Sequence, residues 1–66
     1  MQIVLNGDTV ETADDATIAT LLLQLEISRE RVAVELNTDI VPKSNYEKQV
    51  LNSGDIIEIV HFVGGG

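Results

Sequence analysis

A chain of 66 residues with a formal net charge of −7 has room for one small domain, since domains run roughly 50 to 250 residues. A hydrophobic fraction of 44% and a charged fraction of 23% are those of a globular protein and exclude a disordered one. The absence of cysteine excludes a disulfide framework, a thiolate metal site and a thiol nucleophile, so the fold relies on its apolar core.

The 11 carboxylates outnumber the 4 basic residues and are spread along the chain. Such a surface repels phosphate backbones, so no nucleic acid partner is expected and any partner surface is basic. The opening Met1-Gln2-Ile3-Val4 lacks the basic and apolar regions of a secretory signal. No apolar run approaches the roughly 20 residues of a membrane span, so no membrane association and a cytoplasmic location are expected.

In Met1-Gln2-Ile3-Val4-Leu5 every odd position is apolar, the pattern of a strand with one buried face. Asn6-Gly7 accepts the positive φ of a type I′ hairpin turn. Thr9-Val10-Glu11-Thr12 returns with Val10 inward, so residues 1–12 read as a hairpin. A helix follows, with Asp15 or Thr17 able to cap it, and Asp14-Asp15 is read as capping chemistry and not as a catalytic carboxylate pair. Ile18, Leu21, Leu22 and Leu25 form one helical stripe, with the end placed near Glu26. So short a helix must be held by packing its leucines on a sheet.

Arg31 to Leu36 alternates, with Val32, Val34 and Leu36 toward the core. Asn37-Thr38-Asp39 is a turn, and Ile40-Val41 is a brief strand stopped by Pro42. Residues 43–49 read as a loop or one helical turn. Tyr46, with Lys43 and Lys48 near it, is expected to anchor that loop on a partner-facing or neutral edge. Val50-Leu51 is an apolar anchor, and Asn52-Ser53-Gly54-Asp55 is a turn. The stretch from Ile56 to Val63 is the most β-prone, and its nearly continuous apolar character predicts a central strand buried by its neighbours.

A hairpin, one crossover helix and further strands predict an α+β fold: a mixed sheet of four to five strands with one main helix packed on one face. The first and last strands are expected to run parallel at the centre, the β-grasp or ubiquitin-like arrangement. The domain is placed at residues 1–63 and a flexible glycine tail at 64–66.

Gly64-Gly65-Gly66 has a chance probability of roughly one in three thousand, so the run calls for a reason. It makes a lead without side chains that extends about 10 Å beyond Val63. Such a lead can thread Gly64 and Gly65 through a narrow channel and deliver the carboxylate of Gly66. That carboxylate is ionised at neutral pH and is an unhindered nucleophile toward ATP. Attack would give an acyl-adenylate, which a sulfur donor converts to a thiocarboxylate, with all catalysis supplied by a partner enzyme. A passive, fraying terminus is the other reading of the same run.

With Ile57 and Ile59 inward, Glu58, Val60 and Phe62 point the opposite way and are candidates for partner docking. Cover for the second sheet face is the competing assignment of Val60 and Phe62. His61 is read as structural or solvent-facing, not as a proton shuttle. No spacing of oxygen ligands suggests a metal site.

Taken together, Met1-Gln2-Ile3 through Asn6-Gly7, Val34-Glu35-Leu36-Asn37 with Ile40-Val41-Pro42, Gly54-Asp55-Ile56-Ile57-Glu58-Ile59, and Val60-His61-Phe62-Val63-Gly64-Gly65-Gly66 resemble the ThiS family. These are the sulfur carriers of thiamine thiazole biosynthesis, and the likeness runs from the first residue to the last. It implies that an E1-like enzyme adenylates Gly66 with ATP. Sulfur relayed from a cysteine desulfurase then makes the thiocarboxylate, and thiazole synthase consumes it. The carrier is then a co-substrate and not an enzyme, with no cofactor of its own, and a monomer when free.

Two alternatives stay open: the small subunit of molybdopterin synthase, similar in fold and in its diglycine end, and a non-carrier ubiquitin-like binding module with a passive tail. An enzyme in its own right is disfavoured by the single His, the missing thiol and the lack of room for an enclosed pocket.

Overall fold

The computed structural model describes residues 1–62, so Val63 and the three glycines of the predicted tail lie outside the described residues. Five strands form one sheet: β1 (Gln2–Leu5), β2 (Asp8–Glu11), β3 (Val32–Leu36), β4 (Asp39–Val41) and β5 (Ile56–His61). Their order is β2-β1-β5-β3-β4. β1 and β5 are parallel and every other pairing is antiparallel, as the β-grasp expectation requires. One helix, α1 (Ile18–Gln24), covers one face, and single 3₁₀ turns occupy Arg29–Arg31 and Lys43–Asn45.

Local chemistry explains the turns. Asn6 and Gly7 both take positive φ, 48° and 88°, which makes the type I′ turn that joins β1 to β2. The β3–β4 hairpin is built the same way from Asn37 at 50° and Thr38 at 78°. Thr38 is a β-branched residue in a region that favours glycine, so this second turn is strained.

The helix begins at Thr17 and not at Asp15. Thr17 Oγ1 accepts from the Thr20 N–H at 3.2 Å, and Thr20 Oγ1 accepts from the Thr17 N–H at 2.8 Å, a reciprocal capping box. The next orphan donors are also used: Ile18 N–H reaches the Gln49 carbonyl at 3.1 Å and Ala19 N–H that of Tyr46 at 2.9 Å. At the other end the helix stops two residues before the predicted Glu26. Glu26 itself turns left-handed at φ 58°, and Ile27 N–H returns to the Leu22 carbonyl at 2.9 Å. This is a Schellman closure with a non-glycine residue at the turn.

Ile18, Leu21 and Leu22 from α1 meet Ile3, Val32, Val34, Val41, Ile57 and Ile59 from the sheet. Tyr46 and Leu51 complete this core from the long β4–β5 connection. The placement of Tyr46 corrects the expectation of an edge anchor: it is only 1% exposed. Its ring fills the core below Arg29, whose guanidinium carbon lies 5.1 Å from the ring centroid.

β5 is central, as expected, but it is not buried by neighbours on both faces. Ile57 and Ile59 are buried, whereas Ile56, Glu58 and Val60 are exposed. The reason is the layer count: a single helix covers a single face, so even the middle strand keeps a solvent side.

Candidate functional site at the end of the central strand

The predicted site residues divide sharply. Glu58, Val60 and Phe62 lie along the outer face of β5 and its continuation, all exposed. Val60 is 55% and Phe62 60% exposed, too much for cover of a second core. Gly64, Gly65 and Gly66 lie outside the described residues.

Three groups, on Asn6, Arg31 and Lys43, tie down the end of the strand. β1 ends at Leu5, but the Asn6 side chain adds one more rung. Its Oδ1 accepts from the Ile59 N–H at 2.8 Å, and its Nδ2 donates to the Ile59 carbonyl at 3.2 Å. On the opposite side, the Phe62 N–H donates to the Arg31 carbonyl at 2.9 Å, which extends the β3 ladder to the last described residue. Lys43 Nζ donates to the Val32 carbonyl at 2.8 Å and stands 5.1 Å from the centroid of the Phe62 ring. Phe62 therefore packs under a cation that is itself tied to the neighbouring strand.

Lys43 is placed by a second pair. The Arg29 guanidinium donates to the Lys43 carbonyl at 2.6 Å and forms an ion pair with Glu47. The Arg29 bond holds the Glu47 carboxyl below its ordinary value, and Glu47 in turn raises Arg29. Burial pushes the Tyr46 hydroxyl up.

Asn6, Lys43 and Arg29 were not legible as site residues. The sequence marks Asn6 only for its turn, and nothing in local pattern joins it to Ile59, 53 positions away. Asp14 and His61 are exposed, and no group of three or more His, Asp or Glu converges as a metal site among the described residues. A surface groove of about 570 Å³ runs along the helix side, lined by Leu22, Leu23, Ile27, Arg29 and Glu47 among others. It is open to solvent, and none of the predicted docking residues lines it.

A five-stranded β-grasp sheet whose middle strand leads directly to the carboxy-terminal residues, beside an exposed apolar face, defines a ubiquitin-like protein. Comparison with known proteins narrows the class. The model of the ThiS family matches residues 3–66, and the chain belongs to that family. It is 44% identical over 63 residues to the sulfur carrier protein ThiS of Bacillus subtilis, covering 94% of this chain and 96% of that one. The crystal structure of the thiamine biosynthesis protein ThiS from Geobacter metallireducens superposes with a TM-score of 0.86 at 29% identity, covering 100% of both chains. A thiazole synthase of Paramagnetospirillum magneticum is 44% identical over 66 residues, and there the chain spans only 20% of the relative's length.

Proposed function

We propose that this protein carries sulfur to thiazole formation in thiamine biosynthesis, with the carboxylate of Gly66 as the chemical site. The observation that carries the reading is the ThiS family match, which runs to Gly66 and so takes in all three glycines. The Gly66 carboxylate attacks the α-phosphorus of ATP on an E1-like adenylating enzyme; a carboxylate oxygen–phosphorus bond forms and pyrophosphate leaves. A persulfide relayed from a cysteine desulfurase then attacks the acyl carbon and AMP leaves; a thiol cleaves the resulting acyl disulfide, forming a new disulfide and releasing the thiocarboxylate. Thiazole synthase takes the sulfur and returns the carrier.

In this reading the protein is a co-substrate, holds no cofactor of its own and works in the cytoplasm as a monomer between encounters. Gly64 and Gly65 thread the partner's channel, where any Cβ would obstruct passage. Glu58, Val60 and Phe62 dock the body of the domain. The thiazole synthase that contains a matching stretch supports that enzyme as a partner, because covalent linkage raises the local concentration of two components that must meet.

Mass spectrometry tests the reading. Incubation with ATP, a sulfide source and the adenylating enzyme should raise the protein's mass by the difference between sulfur and oxygen. A variant extended by one residue beyond Gly66 should not load. Failure of the native chain to load, or equal loading of both, overturns the proposal.

A further inference from the structure

On the outer face of the sheet, β3 and β5 set Glu35 directly opposite Glu58. Arg31 with Phe62, and Asn37 with Ile56, are joined by backbone hydrogen bonds of 2.9 and 2.7 Å. By the two-residue repeat of an antiparallel ladder, Glu35 and Glu58 form a hydrogen-bonded pair with Cα atoms about 5.5 Å apart. Like charges so placed repel and weaken the sheet. Among the described residues, neither carboxylate has a basic group within salt-bridge distance.

Apolar side chains border the pair toward β4 and along β5. Ile40 pairs with Glu35 on the β4 side, Ala33 pairs with Val60, and Ile56 and Val60 flank Glu58 along its strand. Ile40, Ile56 and Val60 are 73%, 52% and 55% exposed. The fold therefore sets two adjacent carboxylates beside exposed apolar side chains.

We infer that Glu35 and Glu58 together recognise an arginine presented by the apolar docking surface of a partner protein. The inference rests on the proposed carrier role, because that role fixes where a partner must lie. Gly66, the proposed chemical site, lies four residues beyond Phe62, a stretch that spans at most about 14 Å. An enzyme acting on Gly66 must bring its surface to the end of β5, next to this patch. The guanidinium fork spans two carboxylates at once, whereas a lysine is a single point charge. A second copy of this chain is a poor occupant, since a symmetric contact through the same face brings four carboxylates together.

The test uses the full-length protein with purified thiazole synthase and, separately, the adenylating enzyme. Binding of the native chain, Glu35→Gln, Glu58→Gln and the double variant is measured by calorimetry at two salt concentrations. The double variant should be at least as stable to heat as the native chain, yet bind at least one of the two enzymes about thirtyfold more weakly, with a shallower salt dependence. A control that removes two charges elsewhere, Asp15→Asn with Glu26→Gln, should bind within about threefold of the native chain. Affinities for both enzymes unchanged in the double variant overturn the inference, as does an equal loss in the control. Self-association of the native chain through this face also overturns it. If the native chain loads with sulfur while these affinities stay unchanged, only the pairing with arginine fails; if it never loads, the carrier reading falls first.

Discussion

Replacing Asn6 tests whether the side-chain rung on Ile59 holds the exit of β5. The two bonds, at 2.8 and 3.2 Å, contribute about 1 kcal/mol each in net terms, so their removal should cost about 2 kcal/mol. Asn6→Gly is the cleaner variant, because glycine keeps the φ of 48° without strain. Asn6→Ala should lose about 1 kcal/mol more, since a Cβ disfavours the left-handed region. For a domain of this size a 2 kcal/mol loss lowers Tm by about 8 to 16 °C. Calorimetry measures that shift, and native-state hydrogen exchange at the Ile59 amide locates it, since that N–H loses its acceptor. An Asn6→Gly protein within about 0.5 kcal/mol of the native chain, with Ile59 still protected, refutes the reasoning.

Three further outcomes are expected. Thr38→Gly should raise stability by about 1 kcal/mol in urea unfolding, because it relieves a β-branched residue at φ 78°. Tyr46, the one tyrosine, should titrate above its ordinary 10.0 by ultraviolet absorbance, and stability should fall as pH rises past 10.0 toward the raised value. Glu47 should titrate below 4.5 by NMR and rise toward it in Arg29→Met. Because its folded pKa is depressed, its contribution is present above 4.5 and disappears as pH falls toward the lower folded value.

The parts of the fold that depend on neighbouring residues were legible in the sequence. Asn6-Gly7 announced its turn because few residue pairs accept two positive φ angles, and the α1 stripe announced its buried face by period alone. The alternation of Ile57 and Ile59 with Glu58 and Val60 placed the outer face of β5 correctly. What stayed hidden depends on residues distant in sequence. Tyr46 sits among polar residues with no period to mark it, so only the docking of the β4–β5 connection against α1 shows its burial. Glu35 and Glu58 face each other only in one register of β3 on β5, and a slip of one residue would part them. Residues 37–39 read as a turn, but the strain at Thr38 follows from the turn's two-residue length.

The one-sided covering of β5 separates two kinds of duty along a single strand. Ile57 and Ile59 answer to α1 and must suit the interior, whereas Ile56, Glu58 and Val60 have no interior to satisfy. Substitutions at the even-numbered positions can therefore reshape the exposed face while the odd-numbered ones preserve folding. A strand built this way can change its exposed surface one side chain at a time, with the core it shares with α1 left as it was.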